Sequence, residues 1–250
     1  MNYPALFALA IALMAVPSGA QLPADAVSAR EVIAPMSALY RAMQPSMMVR
    51  GLIDRRTSRG ERSQETKREY RLLQGGGAVR ADVCGTSRSQ SCAIYIRRRE
   101  EVVLFLPESR EFAVLKKTDP AADAIQAALG RVQIALYGRF VDLAATNYRI
   151  TGVKEAELKI GGQKKRCYHI KLKPGEGEKS TWTAELWIEK DSALVWRATL
   201  VRQDEGERLE ETVTWLEIKS GSDVPIAELE WRPPADAKRF ERVPSGALPQ

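Results

Sequence analysis

The side chains that could do acid–base, nucleophilic or metal chemistry are few and poorly grouped. The single histidine, His169, lies in "KKRCYHIKLKP", where Tyr168, Ile170 and Leu172 alternate with Cys167, His169 and Lys171 as in a strand. One histidine, with no HExxH and no paired Cys-x-x-Cys, leaves almost no ligand set for zinc. Neither a Gly-x-Ser-x-Gly elbow nor a Gly-x-x-x-x-Gly-Lys phosphate loop occurs, and Gly161-Gly162-Gln163-Lys164 reads as a hairpin turn. Glu210 and Glu211 are neighbours in a strand-like run, so they face opposite ways and do not converge as an acid and base pair. The residues therefore predict no catalytic site, no metal and no cofactor.

The cysteines and aromatics carry more. Cys84 and Cys92 bracket the polar loop "GTSRSQS" between two strand-like runs, which makes a disulfide across that hairpin geometrically reasonable in an oxidising compartment. Two reduced thiols, or a bridge to Cys167, are the alternatives. In "TWTAELWIEK" one face carries Trp182, Ala184, Leu186 and Ile188; in "ALVWRATLVRQ" one carries Leu194, Trp196, Ala198 and Leu200, while Trp187, Val195 and Val201 point the other way. Such residues either fill a core or line a cavity for an apolar ligand such as an acyl chain. The candidate lining comprises Met36, Tyr40, Tyr70, Phe105, Phe112, Ile125, Leu129, Val132, Leu136, Trp182, Leu186 and Trp196.

These residues need elements to position them. From Ala24 to Gln44 the residues Ala29, Ile33, Met36, Tyr40 and Met43 recur at helical steps, with Pro35 as a bending point. Six short runs rich in Val, Ile, Tyr and Phe follow, separated by Arg59-Gly60, Gly75-Gly76-Gly77 and Pro107-Glu108-Ser109, so their tight connections predict antiparallel neighbours. A second helix is predicted over Pro120 to Leu143, capped by Asp119 and striped by Ile125, Leu129, Val132, Leu136 and Phe140. Six more strands are expected after it. The last of them opens "AELEWRPPADAKRF", with Leu229 and Trp231 on one side, and is stopped by Pro233 and Pro234. The order predicts an α+β chain with one large curved antiparallel sheet, covered on its concave side by the two helices.

The first twenty residues carry no charged side chain, and their apolar run from Ala5 to Val16 is too short to span a bilayer. They read as a signal peptide cleaved after Ala20, with an uncleaved apolar anchor as the alternative. Residues 21–243 are then expected to form a single domain and 244–250 a flexible tail. The net charge of +6 arises from lysines and arginines interspersed with acids, as on a solvated surface, with attraction to anionic lipid headgroups as the second reading.

This order of parts resembles the LolA-like family of periplasmic outer-membrane lipoprotein-sorting and carrier proteins. The resemblance is carried by "VVLFLPESREFAVL", by "KIGGQKKRCYHIKLKP" followed by "TAELWIEKDSALVWRATL", and by Trp231-Arg232-Pro233-Pro234-Ala235-Asp236-Ala237-Lys238. It implies an open, incomplete β-barrel with a helical lid over a hydrophobic cavity, no cofactor and no catalysis. The implied ligands are lipoprotein acyl chains or another lipid, sheltered by a periplasmic monomer that meets a transient inner- or outer-membrane protein partner and no nucleic acid. A sensor or envelope-assembly protein, using the same half-barrel to dock a lipoprotein or membrane partner, is the alternative.

Overall fold

A computed structural model describes residues 45–86, 92–133, 148–176, 181–204 and 206–240. The strands are β1 (Ser46–Arg59), β2 (Arg62–Gly75), β3 (Ala78–Gly85), β4 (Cys92–Arg97), β5 (Glu101–Leu106) and β6 (Glu111–Lys116), then β7 (Tyr148–Ile160), β8 (Gln163–Pro174), β9 (Trp182–Glu189), β10 (Val195–Asp204), β11 (Glu207–Ser220) and the two-residue β12 (Lys238–Arg239). One helix, α1 (Pro120–Gln133), separates the two runs. Hydrogen bonding joins the strands in the order β12-β6-β5-β4-β3-β2-β1-β11-β10-β9-β8-β7. The order is linear, so this is a large open sheet with β12 and β7 as its edges, as expected from the sequence. Strands β2 to β6 and β7 to β11 pair antiparallel, and β12 joins β6 in parallel.

Glycine sets the tight turns. At Gly76-Gly77 and Gly161-Gly162 both residues have positive φ (56° and 79°, 55° and 84°), the left-handed pair that matches a two-residue hairpin to the twist of its strands. Helix α1 begins as predicted: the Asp119 side chain accepts from the Ala121 amide at 2.9 Å, satisfying one of the amides left free in the first turn. It is described only to Gln133, so Leu136, Phe140 and the rest of the predicted span lie outside the described residues. The same is true of the predicted first helix with Met36 and Tyr40, of the signal segment and of the tail at 244–250.

The chain divides into two compact units. One contains Asp54–Thr66 and the described part of Arg139–Leu216; the other contains the described parts of Ala42–Ile53, Lys67–Gly138 and Glu217–Gln250. In the second unit, register fixes two faces. Paired positions Leu72 with Ala81, Ala81 with Tyr95, Tyr95 with Leu104 and Leu104 with Ala113 place those five side chains together on one face. Helix α1 packs on β3 to β6, and Gln133 bonds Gln74 of that same face, so Ile125, Leu129 and Val132 are buried there. The opposite face carries Leu73, Arg80, Ile96, Val103 and Phe105. It is covered by the segment after β11, where Met48, Leu73, Val224 and Leu229 form one buried cluster.

That covering segment corrects the sequence reading. Ile226–Glu230 is a 3-10 helix rather than a strand, with Pro225 before it and Trp231 leading out toward Pro233 and Pro234. Alternation in "AELEWR" is compatible with a strand, but tertiary packing decides otherwise. Turning the chain lets Leu229 enter the cluster while the Glu228 carboxylate meets Arg71. The prolines then precede β12 instead of ending a long strand.

Cys84 and Cys92 are directly opposed on β3 and β4, with Cα atoms 4.2 Å apart, and they are bonded as a disulfide. Cys167 is free and buried, and burial pushes its thiol up to about 11. Replacing Cys84 and Cys92 by serine is expected to lower stability by about 2–3 kcal/mol in urea titrations, with dithiothreitol having the same effect on the native chain. Cys167 is expected to resist alkylation at neutral pH until the chain is denatured, which mass spectrometry after iodoacetamide treatment will read.

Candidate functional site: an apolar sheet face with a buried ion pair

In the first unit, β7 to β11 again present two unlike faces. Ile170 pairs with Leu186, Leu186 with Ala198, and Ala198 with Val213; Leu172 pairs with Ala184 and Ala184 with Leu200. These residues, with Trp215 two positions beyond Val213, form one apolar surface across four strands, all of it buried. Two alanines at its centre, Ala184 and Ala198, are flanked by larger aliphatic groups. Trp182 lies at one end of β9 on the same face, half-buried, with the Arg202 guanidinium 5.5 Å from its ring centre.

One carboxylate interrupts this surface. Glu211 pairs with Leu200 across β10 and β11, two residues before Val213, and its side chain has 0% exposure. Arg55 donates to Glu211 Oε2 through Nε at 3.0 Å and through Nη2 at 2.7 Å, while its own side chain remains 43% exposed. A buried carboxylate requires such a donor, because an ion leaves water at a cost of several kcal/mol. The pair therefore gives the middle of the apolar surface a charged point that reaches solvent on the arginine side. The alternation Leu209, Glu211, Val213, Trp215 is a signal that could have placed Glu211 on the apolar face, whereas Arg55 as its partner has no sequence signal.

The other face of the same strands is polar. His169 pairs with Trp187, Trp187 with Arg197, and Arg197 with Thr214. The His169 and Trp187 rings stack with centroids 4.2 Å apart, Arg197 lies 5.8 Å from the Trp187 ring centre, and Arg197 Nε donates to Thr214 Oγ1 at 3.1 Å. His169 Nε2 and Glu185 Oε2 are 2.7 Å apart, and Lys171 lies 3.2 Å from the same carboxylate. Burial works to raise the Glu185 carboxyl, but the bonds to His169 and Lys171 outweigh it and hold the group below its ordinary range. The lone histidine thus belongs to a cross-strand ladder, and among the described residues no cluster of His, Cys, Asp and Glu could hold a metal.

The candidate lining residues are distributed over several faces. Tyr70, Ile125, Leu129 and Val132 share the α1 side of the second unit. Phe105 and Phe112 pair with each other on the opposite side, and Phe105 meets Trp231 at 5.0 Å between centroids. Leu186 and Trp182 share the apolar face of the first unit. Trp196 leaves it: a register shift between Val195 and Arg197 turns its ring to Glu189 and Lys165, where Nε1 donates to Glu189 Oε2 at 2.9 Å and the Lys165 ammonium lies 4.0 Å from the ring centre. Met36, Tyr40 and Leu136 lie outside the described residues. Two predictions follow from the charged groups. Arg55→Ala, which leaves the buried Glu211 carboxylate short of its donor, is expected to cost about 1–3 kcal/mol in a urea titration, and the added change Glu211→Leu should recover part of the loss. In the second unit Glu228 is held below the ordinary carboxylate range, first by the hydrogen bonds from Arg71, with burial opposing. A lowered carboxyl stabilises the fold above the unfolded value of about 4.3 and ceases to do so as pH falls through the lowered value. Below about pH 4, stability should therefore fall with acid, and Glu228→Gln should remove that component of the pH profile.

No family model matches the sequence, and no curated protein matches it. Solved structures do. A LolA superfamily protein from Nitrosomonas europaea is 14% identical, with 82% of this chain and 98% of that one covered and a TM-score of 0.31. The lipoprotein LppX of Mycobacterium tuberculosis is 15% identical, with 76% and 97% covered and a TM-score of 0.36. MucB is 17% identical, with 85% and 69% covered and a TM-score of 0.41. With TM-scores below 0.5 these likenesses decide nothing about what the chain binds.

Proposed function

We propose that this chain is an exported carrier that shelters acyl chains of lipoproteins or another lipid, as a single domain over residues 21–243 released after Ala20 into the periplasm. The observation that supports this reading is the apolar face of β8 to β11. It spans four strands, carries its smallest side chains at Ala184 and Ala198, and bears one buried carboxylate, Glu211, paired with Arg55, with Arg202 at the margin beside Trp182. An acyl chain with a polar head has the same division of chemistry. Each methylene taken from water contributes about 0.8 kcal/mol, so a chain of ordinary length lying along Leu172, Leu186 and Leu200 would be held without any catalytic group. Arg55, half in solvent, is placed to meet the head of such a ligand. Trp182 and Leu186 are the lining residues assigned to this seat.

No helix among the described residues is long and apolar enough to cross a membrane. The carrier reading implies transfer between membranes or membrane partners, by a monomer that binds its donor and acceptor transiently. Native mass spectrometry of protein purified without detergent, followed by lipid extraction, tests it. The expected result is co-purifying acyl lipid, reduced in Ala198→Leu, which adds bulk at the centre of the face, and retained in Thr199→Leu, which alters the opposite one. Protein that carries no lipid after incubation with phospholipid vesicles would overturn the reading, as would equal loading of the two variants.

A further inference from the structure

In the second unit, three arginines from successive strand segments converge on one short piece of the same chain. Arg71 on β2 donates to both carboxylate oxygens of Glu228, through Nη1 at 2.5 Å and Nη2 at 2.7 Å. Arg80 on β3 donates to the Glu228 carbonyl at 3.3 Å. Arg98, after β4, donates through Nε to the Leu229 carbonyl at 3.2 Å and through Nη2 to the Trp231 carbonyl. Between these clamps, Leu229 fills a pocket of Met48, Leu73 and Val224, roofed against Gly75, where an added Cβ would meet Leu229 Cδ1 at 3.5 Å. The Trp231 ring rests on Phe105, with the Arg80 guanidinium 5.9 Å from its centre.

These contacts divide into two kinds. The bonds from Arg80 and Arg98 go to backbone carbonyls, so they would hold any extended or turned peptide. The others read side chains: a two-pronged fork for a carboxylate, an aliphatic pocket one residue later and an aromatic shelf two residues after that. The contact of Leu229 with Val224 lies within the covering segment itself; none of the others depends on the peptide being joined to β11. Arg80 and Arg98 have other acidic partners in Asp82 and Glu101, but without Glu228 the nearest carboxylate to Arg71 is Asp82 at 3.8 Å. An empty groove would thus be electropositive and suited to an acidic segment. Beyond Trp231 the native occupant is held at an exposed edge. Arg232, Pro234, Ala235 and Asp236 are exposed; Asp236 pairs with Arg110, Arg239 donates to the Val114 carbonyl at 3.2 Å, and the Lys238 and Phe240 amides donate to the carbonyls of Arg110 and Phe112.

We propose that this face is a peptide-recognition groove for a protein partner bearing an acidic–aliphatic–any–aromatic segment, and that Glu228-Leu229-Glu230-Trp231 occupies it intramolecularly until the partner displaces it. The groove lies on the side of β2 to β6 opposite α1 and involves none of the residues assigned to the acyl seat, so either conclusion can fail without the other.

The test uses the full chain with a specific protease site inserted after Ser222, in the exposed 3-10 turn Gly221–Asp223. After cleavage, the released C-terminal piece is expected to stay bound and then to exchange with a fluorescent peptide of residues 221–240. The peptide should bind at least about tenfold more weakly when it carries Glu228→Ala or Trp231→Ala, and so should wild-type peptide on nicked Arg71→Ala protein. In the uncut chain, Trp231→Ala should capture wild-type peptide that the unaltered protein excludes. A nicked protein that unfolds as the piece leaves would show a structural core segment and overturn the proposal. So would a piece that never exchanges, or exchange indifferent to both peptide substitutions.

Discussion

Period-two alternation, carried across strands by backbone register, is the constraint on which the rest of this structure depends. Each antiparallel pair transmits the facing of one side chain to the next, so a stretch such as Leu172, Ala184, Leu200 and Glu211 becomes one surface although its members are far apart in sequence. A sheet built this way has two faces, and each apolar one must leave water. In the second unit the two faces are covered by unlike means: α1 on one side, and on the other a 3-10 helix with its lead-out at Trp231. The second cover needs the arginine clamps, because a segment with only five helical residues has little hydrogen bonding of its own.

Electrostatics follows the same division. Most ion pairs are half-exposed and lie between neighbours on polar faces, as in Lys164 with Glu157 and Arg208 with Glu210, and such pairs contribute little to stability. Two arrangements differ. Glu211 is a wholly buried carboxylate on an apolar face, and Glu228 is gripped by a guanidinium in a two-pronged geometry. The first is a charge among apolar side chains and the second a half-exposed charge among Arg71, Arg80 and Asp82, and these are the two places where recognition is proposed.

Much of this was legible in the sequence, for local reasons. The α+β order, the antiparallel pairing, the Asp119 cap with Pro120, the paired-glycine hairpins and the Cys84–Cys92 bridge all follow from short-range spacing. What was not legible depends on tertiary choices. A single register shift moved Trp196 off the face that strict alternation assigned it. Packing of Leu229 and the pull of Arg71 converted a strand-like pattern into a 3-10 helix. Phe105 and the α1 stripe looked like one lining because periodicity orders residues within an element but does not say which sides of different elements meet.

The proposed seat for an acyl chain is the face shared by Leu172, Leu186 and Leu200. Photo-crosslinking with a diazirine-bearing fatty acid, mapped by tandem mass spectrometry, addresses it most directly. Adducts are expected at Leu186, Ala198, Leu200 and their neighbours on that face, competed away by unlabelled phospholipid. Adducts confined to the opposite face at Trp187, Arg197 and Thr199, or none above a denatured control, would contradict it.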